Sequence, residues 1–200
     1  MPMTNAELIE AYEKAVDLML DLQVSLFMDR STRATRDRGA EARSRVQQML
    51  FALRRLGRLD ARMKRLRAEV SALSEQPTGV VLKRLQDRRV QIRQGTAFYA
   101  EAFYYFGHRA TECLKTVDGF RRFRPIGVRD VRNHLIEHPK TASFRNFGFE
   151  GPEGVVVRPY RRVADPKFPH DRGLYANASE FVTQLLKRLA TRAARAGGRP

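Results

Sequence analysis

The chain has 200 residues, of which 42% are hydrophobic, enough for one domain with a substantial core. Its net charge of +16 predicts attraction to a polyanion such as RNA or DNA. We expect a cytoplasmic protein without a membrane span, because the N-terminus lacks the apolar region of a signal sequence and no uncharged run approaches the roughly 18 residues that cross a bilayer. The single cysteine, Cys113, cannot form an internal disulfide and is expected to be a buried thiol.

The first predicted helix covers residues 4–30. Thr4 and Glu7 stand at the spacing of a capping box, in which each side chain accepts a hydrogen bond from a free amide at the helix start. Apolar residues then recur every three to four positions and predict one buried face. They are Leu8, Tyr12, Ala15, Met19, Leu22 and Leu26. The polar stretch 31–45 that follows contains Gly39 and is either a loop or a helical extension.

The second predicted helix runs from Val46 to Leu73, and its apolar residues follow an approximate heptad. They are Val46, Met49, Leu53, Leu56, Met63, Leu66, Val70 and Leu73. Residues 30–67 hold thirteen Arg or Lys against three acids, a local charge of +10. The segment is either a solvated helix face or a cradle for phosphate groups. In the second case Arg54, Arg55 and Arg58 are candidate nucleic-acid contacts.

A break at 74–79 precedes a third helix that extends to about Val117. Four aromatic residues in its second half could stack on nucleobases, but their helical spacing favours packing in the core. They are Phe98, Phe103, Tyr105 and Phe106. By the same reasoning, we expect His108 to be a structural histidine.

A basic loop at 118–127 follows and contains three further candidate nucleic-acid contacts, Arg121, Arg122 and Arg124. A short helix is expected next, from about residue 128 to 138. Residues 143–158 then predict a β-hairpin, with aromatic and valine residues on its two arms and the sequence GPEG as its turn.

A last helix is expected to begin near Asn177 or Ser179, either of which could cap it. Residues 191–200 predict a basic, disordered tail. The predicted fold is therefore all-α: a bundle of about five helices in one domain, residues 1–190, with a small β-hairpin inserted after the fourth helix.

Residues 130–139, DVRNHLIEHP, concentrate polar side chains in the predicted short helix. At about 100° per residue, Arg132 and His138 project roughly 120° apart, whereas His134 and His138 share a face. If the helix has only a structural role, Asn133 and Glu137 pair one turn apart and the histidines stabilise its C-terminal end. Alternatively, the polar side faces a substrate or a partner.

The sequence RNHLIEH resembles the signature of the HEPN superfamily, in which an arginine, commonly followed by a polar residue such as asparagine, precedes a histidine by four to six residues. Arg132, Asn133 and His138 fit that pattern. The helices that precede the motif fit the family's helical bundle, so the resemblance covers residues 1–139 and the last helix.

The resemblance implies a metal-independent endoribonuclease that cleaves single-stranded RNA without a cofactor and acts as a homodimer. The motif helices of two subunits would then face each other, so that side chains splayed on one helix converge across the two-fold axis. It also implies that RNA binding can persist where cleavage has been lost. A role in a toxin or defence system, with an antitoxin or another partner protein, stays open.

The chemistry of these groups suits an attack by the RNA 2′-hydroxyl. His138, with an ordinary pKa of about 6.5, would take the proton of that hydroxyl or donate one to the leaving 5′-oxygen. Arg132 would hold the scissile phosphate and offset its developing charge, and Asn133 would orient the substrate. His134 and Glu137 would support the site.

A second chemistry uses the same helix differently. His134, Glu137 and His138 spell H-x-x-E-H, the pattern of zinc peptidases in which two histidines bind the metal and the glutamate activates water. Pro139 follows the second histidine immediately, and a third ligand is not evident. We therefore expect no metal site and retain the peptidase as an alternative.

Overall fold

The computed structural model describes residues 3–73, 78–125, 127–128, 146–149, 155–158 and 173–197. These residues form four helices and two short strands. The four helices form the predicted helical bundle. The helices are α1 (Asn5–Met28), α2 (Arg33–Ser71), α3 (Gly79–Leu114) and α4 (Leu174–Gly197). The strands are β1 (Asn146–Phe149) and β2 (Val155–Arg158), which pair antiparallel.

The predicted count of five helices and the predicted hairpin insert are not confirmed. The helix expected from about residue 128 to 138 lies outside the described residues beyond Val128. Much of the segment 143–158, including its expected turn, also lies outside them. Within that segment the structure describes the backbones of β1 and β2, with Phe147 opposite Val157.

Helix α1 begins and packs as its sequence predicts. The Thr4 side chain accepts a hydrogen bond from the Glu7 amide at 3.3 Å, and the Glu7 carboxylate accepts one from the Thr4 amide at 2.7 Å. This capping box satisfies amides that have no partner within the helix. All six apolar residues of the predicted face are buried.

Helix α2 is longer than predicted, because the stretch 33–45 is its first part rather than a loop. The Thr32 side chain caps it by accepting from the Thr35 amide at 3.3 Å. Gly39 does not break the helix, since it lies where α1 approaches closely. A Cβ atom at Gly39 would be 2.9 Å from the Leu26 side chain. The alternative of a helical extension is therefore confirmed.

The far end of α2 has fewer neighbours than its heptad predicts. The first six heptad residues are buried, but Val70 and Leu73 are 48% and 40% exposed. Helix α1 begins beside the middle of α2, where the Asn5 side-chain amide donates to the Leu53 carbonyl at 3.2 Å. Apolar residues far beyond that point are less covered, because α1 does not extend alongside them.

An aromatic cluster joins three of the helices in the core. The Tyr12 ring of α1 lies 6.2 Å from Phe103 of α3 and 6.1 Å from Phe181 of α4. The Tyr12 hydroxyl donates to the Ala178 carbonyl at 3.2 Å, so this buried polar group has a partner. These contacts hold α1, α3 and α4 together around one centre.

Two predictions about α4 are wrong. The helix begins at Leu174, and Asn177 lies inside it, buried, with its side-chain amide donating to the Tyr104 hydroxyl at 3.0 Å. The Asn177 side chain therefore contacts α3 and does not cap α4. The helix also continues through Gly197, so residues 191–197 are not a disordered tail. Their alanines and arginines favour helix, and Arg192 is held by contacts with Asp118 and Asp29.

Gly127 packs so closely against α4 that a larger residue does not fit. A Cβ atom there would lie 2.0 Å from the Asn177 Oδ1 atom, which is buried and has no hydrogen-bond partner in the described structure. We expect Gly127→Ala to lower the free energy of unfolding by about 1–3 kcal/mol, as overpacking typically does. Thermal unfolding would measure this as a fall of about 2–12 °C.

Gly79→Ala is the matched control, because a Cβ atom there has nothing within 4 Å. It should leave the unfolding temperature nearly unchanged. The penalty of Gly127→Ala should also shrink in an Asn177→Ala background, where the clashing oxygen is gone. An equal penalty in both backgrounds would contradict this explanation.

Candidate nucleic-acid interface

The motif residues lie outside the described residues. This applies to Arg132, Asn133, His134, Glu137 and His138 alike, so their roles stay predictions. The other candidates, the arginines of the loop and of α2, are described, and two of them, Arg121 and Arg122, line a cavity.

The segment that leads into the motif starts in the core. Val128 is fully buried, and a Cβ atom at Gly107 of α3 would be 2.6 Å from its side chain and 2.8 Å from Met49 of α2. Glycine at position 107 therefore allows Val128 to approach the helix. Residue 128 is fixed to the bundle four positions before Arg132 in the sequence.

The basic loop after α3 alternates between core and solvent. Phe120 and Phe123 are fully buried, with the Phe123 ring 5.3 Å from Phe181 of α4. Arg121 and Arg122 between them are exposed. The two phenylalanines anchor the loop, so the guanidinium groups extend from a backbone that is fixed at two points. This local order favours binding, because less freedom is lost when a ligand binds.

These arginines meet others from α4 around a cavity of about 260 Å³. The described residues that line this arginine cavity are Asp118, Gly119, Arg121, Arg122, Arg188 and Arg195. Four arginines and one aspartate thus line the cavity, a local charge of +3. Such an excess of cations favours an anion that can accept several charge-assisted hydrogen bonds, and phosphate oxygens do so readily.

Arg192 connects the loop to two helices. Its guanidinium donates to the Asp118 carbonyl at 3.0 Å and to the Asp29 carboxylate, at the end of α1, at 3.3 Å. Gly119 has a φ of 85°, a left-handed conformation that glycine adopts without strain. The loop backbone that lines the arginine cavity is therefore fixed by the hydrogen bonds of Arg192 and by the turn at Gly119.

The three predicted contacts on α2 do not line the arginine cavity. Arg54 forms an ion pair with Glu13 of α1, Arg55 lies over the Phe51 ring at 4.9 Å, and Arg58 is exposed. Arg124 of the loop is exposed but also does not line the cavity. The structure thus separates the predicted contacts, with Arg121 and Arg122 in one set and the α2 arginines in another.

Part of the basic charge of α2 is neutralised within the protein. Glu41 lies 3.3 Å from Arg38, 3.6 Å from Arg45 and 2.9 Å from Arg109 of α3. A hydrogen bond with Cys113 and the pairing with Arg109 lower the pKa of Glu41 below its ordinary value. Cys113 is buried, as predicted, and burial raises the pKa of its thiol. These arginines are less available to an external anion.

The four aromatic residues of α3 divide between core and surface. Phe103 is fully buried and Phe106 is half-buried, whereas Phe98 and Tyr105 are 64% and 42% exposed. Core packing is therefore confirmed for Phe103 and wrong for Phe98. The exposed ring of Phe98 is therefore a candidate for contact with a ligand.

Sequence reasoning missed the contribution of α4 to the site. Arg188, Arg192 and Arg195 stand at i, i+4 and i+7, the spacing that places residues on one face of a helix. That signal was present, but treating 191–200 as a disordered tail hid it. The matching loop arginines could not be paired with this face from sequence, since 66 residues separate Arg122 from Arg188.

No family model, curated protein or solved structure matches the chain, so similarity to the HEPN superfamily stays a resemblance. No described helix combines the length and apolar character needed to cross a bilayer. In the same residues, no three His, Cys, Asp or Glu side chains are grouped to hold a metal ion, while the three residues of the zinc-peptidase pattern fall outside them.

Proposed function

We propose that this protein binds single-stranded RNA and that the arginine cavity holds phosphate groups of the strand. The observation that carries this proposal is that four arginines, two from the loop and two from α4, line one cavity. A planar guanidinium offers two parallel donors to a phosphate, which suits Arg better than Lys to this role. The net charge of +16 supplies long-range attraction to the strand.

The double variant Arg121→Glu/Arg122→Glu should weaken binding of a single-stranded RNA oligonucleotide about 100-fold at low salt, since each of the two lost charge-assisted contacts is worth about 1.5 kcal/mol. The dependence of log K on log salt should become shallower by about 1.4, which corresponds to two phosphate contacts. Fluorescence anisotropy at several salt concentrations measures both.

Arg62→Glu/Arg65→Glu is the charge-matched control. Both residues are exposed on α2 and neither lines the arginine cavity. The control changes the net charge by the same amount, so it should weaken binding only through the general field. If the two double variants lost affinity equally, binding would be diffuse and the proposal for the arginine cavity would be wrong.

The second proposal is cleavage. We propose a HEPN-type, metal-independent endoribonuclease acting as a homodimer, in which Arg132 and Asn133 hold the scissile phosphate and His138 transfers protons. Its support is the motif itself and its position, ten residues after Arg122 and four after the buried Val128. An RNA strand held at the arginine cavity would thus be bound by residues near the motif in sequence.

The purified protein should cut single-stranded RNA in EDTA and leave 2′,3′-cyclic phosphate and 5′-hydroxyl ends. Attack of the 2′-oxygen on phosphorus breaks the bond to the 5′-oxygen, which leaves with the transferred proton. Intact RNA together with a steep salt slope of binding would identify a binding module without cleavage. Stoichiometric zinc that is lost in His134→Ala would instead favour the peptidase.

A further inference from the structure

A shallow groove of about 430 Å³ lies between α2 and α3, away from the loop and α4. Its lining residues include Phe51, Phe98, Tyr99, Phe106, Gln47 and Gln48. Its volume is within the range of small-molecule sites, and its walls are mainly aromatic with a few polar groups. We call this feature the aromatic groove.

The rings of the aromatic groove are exposed and arranged to accept a planar group. Phe51 and Phe98 are 51% and 64% exposed. Tyr99 stands between them, 6.1 Å from Phe51 and 5.1 Å from Phe98, with interplanar angles of 68° and 81°. Tyr99 meets each phenylalanine edge to face, so it does not stack parallel on Phe51 or Phe98. An incoming ring can stack on them.

Guanidinium groups flank the aromatic groove on α2. Arg55 lies over the Phe51 ring at 4.9 Å, and Arg45 lies 5.8 Å from the Phe106 ring while donating to the Gln48 side chain at 3.0 Å. Ten residues separate these arginines, which is about 15 Å along a helix. Arg45 also pairs with Glu41 at 3.6 Å, so the groove offers aromatic faces for apolar rings and Arg55 for an anion.

The charge of α2 indicates which occupant fits. Residues 33–71 carry twelve Arg or Lys and four acids, a net charge of +8. A second copy of this chain would bring the same arginines against themselves. A single-stranded nucleic acid offers both complements, since its phosphates are negative and its unpaired bases are free to stack, whereas the bases of a duplex are enclosed.

From this combination we infer that the aromatic groove holds unpaired bases of the bound strand, stacked on Phe51 and Phe98. Arg55 contacts an adjoining phosphate. The inference rests on the proposed binding of single-stranded RNA and specifies that the protein prefers strands with accessible bases. The groove adds stacking, which is insensitive to base identity, to the electrostatic binding of the arginine cavity.

The test compares two fluorescently labelled single strands of equal length and charge, one with bases and one abasic. Wild-type protein should bind the strand with bases more tightly. Phe98→Ala should weaken binding of that strand about 5- to 150-fold, the range for loss of one stacking contact, and leave the abasic strand and the salt slope unchanged. A thermal melt confirms that the variant is folded, as expected for an exposed ring.

Phe27→Ala is the matched control. Phe27 is 67% exposed on α1, close to the 64% of Phe98, and does not line the aromatic groove, so Phe27→Ala removes a similarly exposed ring elsewhere. Its affinity for both strands should equal that of the wild type. An equal effect of Phe27→Ala and Phe98→Ala would overturn the inference.

Three other outcomes are decisive. Equal wild-type affinity for the two strands, with Arg121→Glu/Arg122→Glu still impaired, would overturn the stacking groove and keep the phosphate site. Absence of binding to either strand at low salt would overturn both proposals. A change of oligomeric state in Phe98→Ala by sedimentation, with its preference for bases intact, would assign the groove to a second copy and overturn the inference.

Discussion

Phe123→Ala is expected to lower the free energy of unfolding by about 3–5 kcal/mol, the usual cost of emptying a buried phenylalanine site. Phe123 is fully buried between Phe120 and Phe181, with ring distances of 6.4 and 5.3 Å. Its ring fastens the basic loop to α4. The substitution removes apolar contacts and leaves a cavity at the point where the arginine cavity is assembled.

Thermal unfolding followed by circular dichroism should show a fall of about 6–20 °C for Phe123→Ala. Phe98→Ala removes the same ring from an exposed position and should change the free energy of unfolding by about 0.5 kcal/mol or less. Phe123→Leu keeps most of the buried volume and should lie between them. Equal stability of Phe98→Ala and Phe123→Ala would mean that the loop is not anchored through this ring.

His138→Ala is expected to reduce the rate of RNA cleavage by about 10²- to 10⁴-fold, the usual contribution of a general acid or base. Alanine can neither take the 2′-hydroxyl proton nor supply one to the leaving oxygen. RNA binding should be retained, because the proposed contacts with the strand are made by arginines and not by this histidine. Single-turnover cleavage with excess protein measures the chemical step separately from binding.

His134→Ala is the control on the same predicted helix. It carries the same chemical change four positions earlier and should retain most of the cleavage, since His134 is assigned a supporting role. Arg132→Ala should lose cleavage as His138→Ala does. Unchanged cleavage in His138→Ala would exclude this histidine from the reaction, and equal loss in both histidine variants would point to a shared structural or metal-binding role.

The helices that depend on local signals were predicted well. The capping box of Thr4 and Glu7 and the apolar period of α1 act within one or two turns, so the sequence contains all the information they need. The same applies to the first six heptad residues of α2. The exposure of Val70 and Leu73 could not be predicted in this way, because it depends on where α1 begins alongside α2.

Gly39 and Asn177 show where local propensity was insufficient. The glycine left a loop and a helical extension open, and α2 continues through Gly39, where α1 packs closely against it. Asparagine suggested a helix cap, but the Asn177 side chain donates to Tyr104 of α3 instead. Each residue contacts another helix, and that tertiary contact overrides the local conformational preference of the residue.

The sequence by itself determined the helical class, the excess of positive charge and the motif RNHLIEH, since each is a property of composition or of neighbouring residues. Only the tertiary structure decided which arginines lie close together. It brought Arg188 and Arg195 beside Arg121 and Arg122, fixed Arg54 on Glu13, and left Phe51 and Phe98 exposed in one groove. Cooperation between side chains depends on distance in space, and packing brings together residues that lie far apart in the chain.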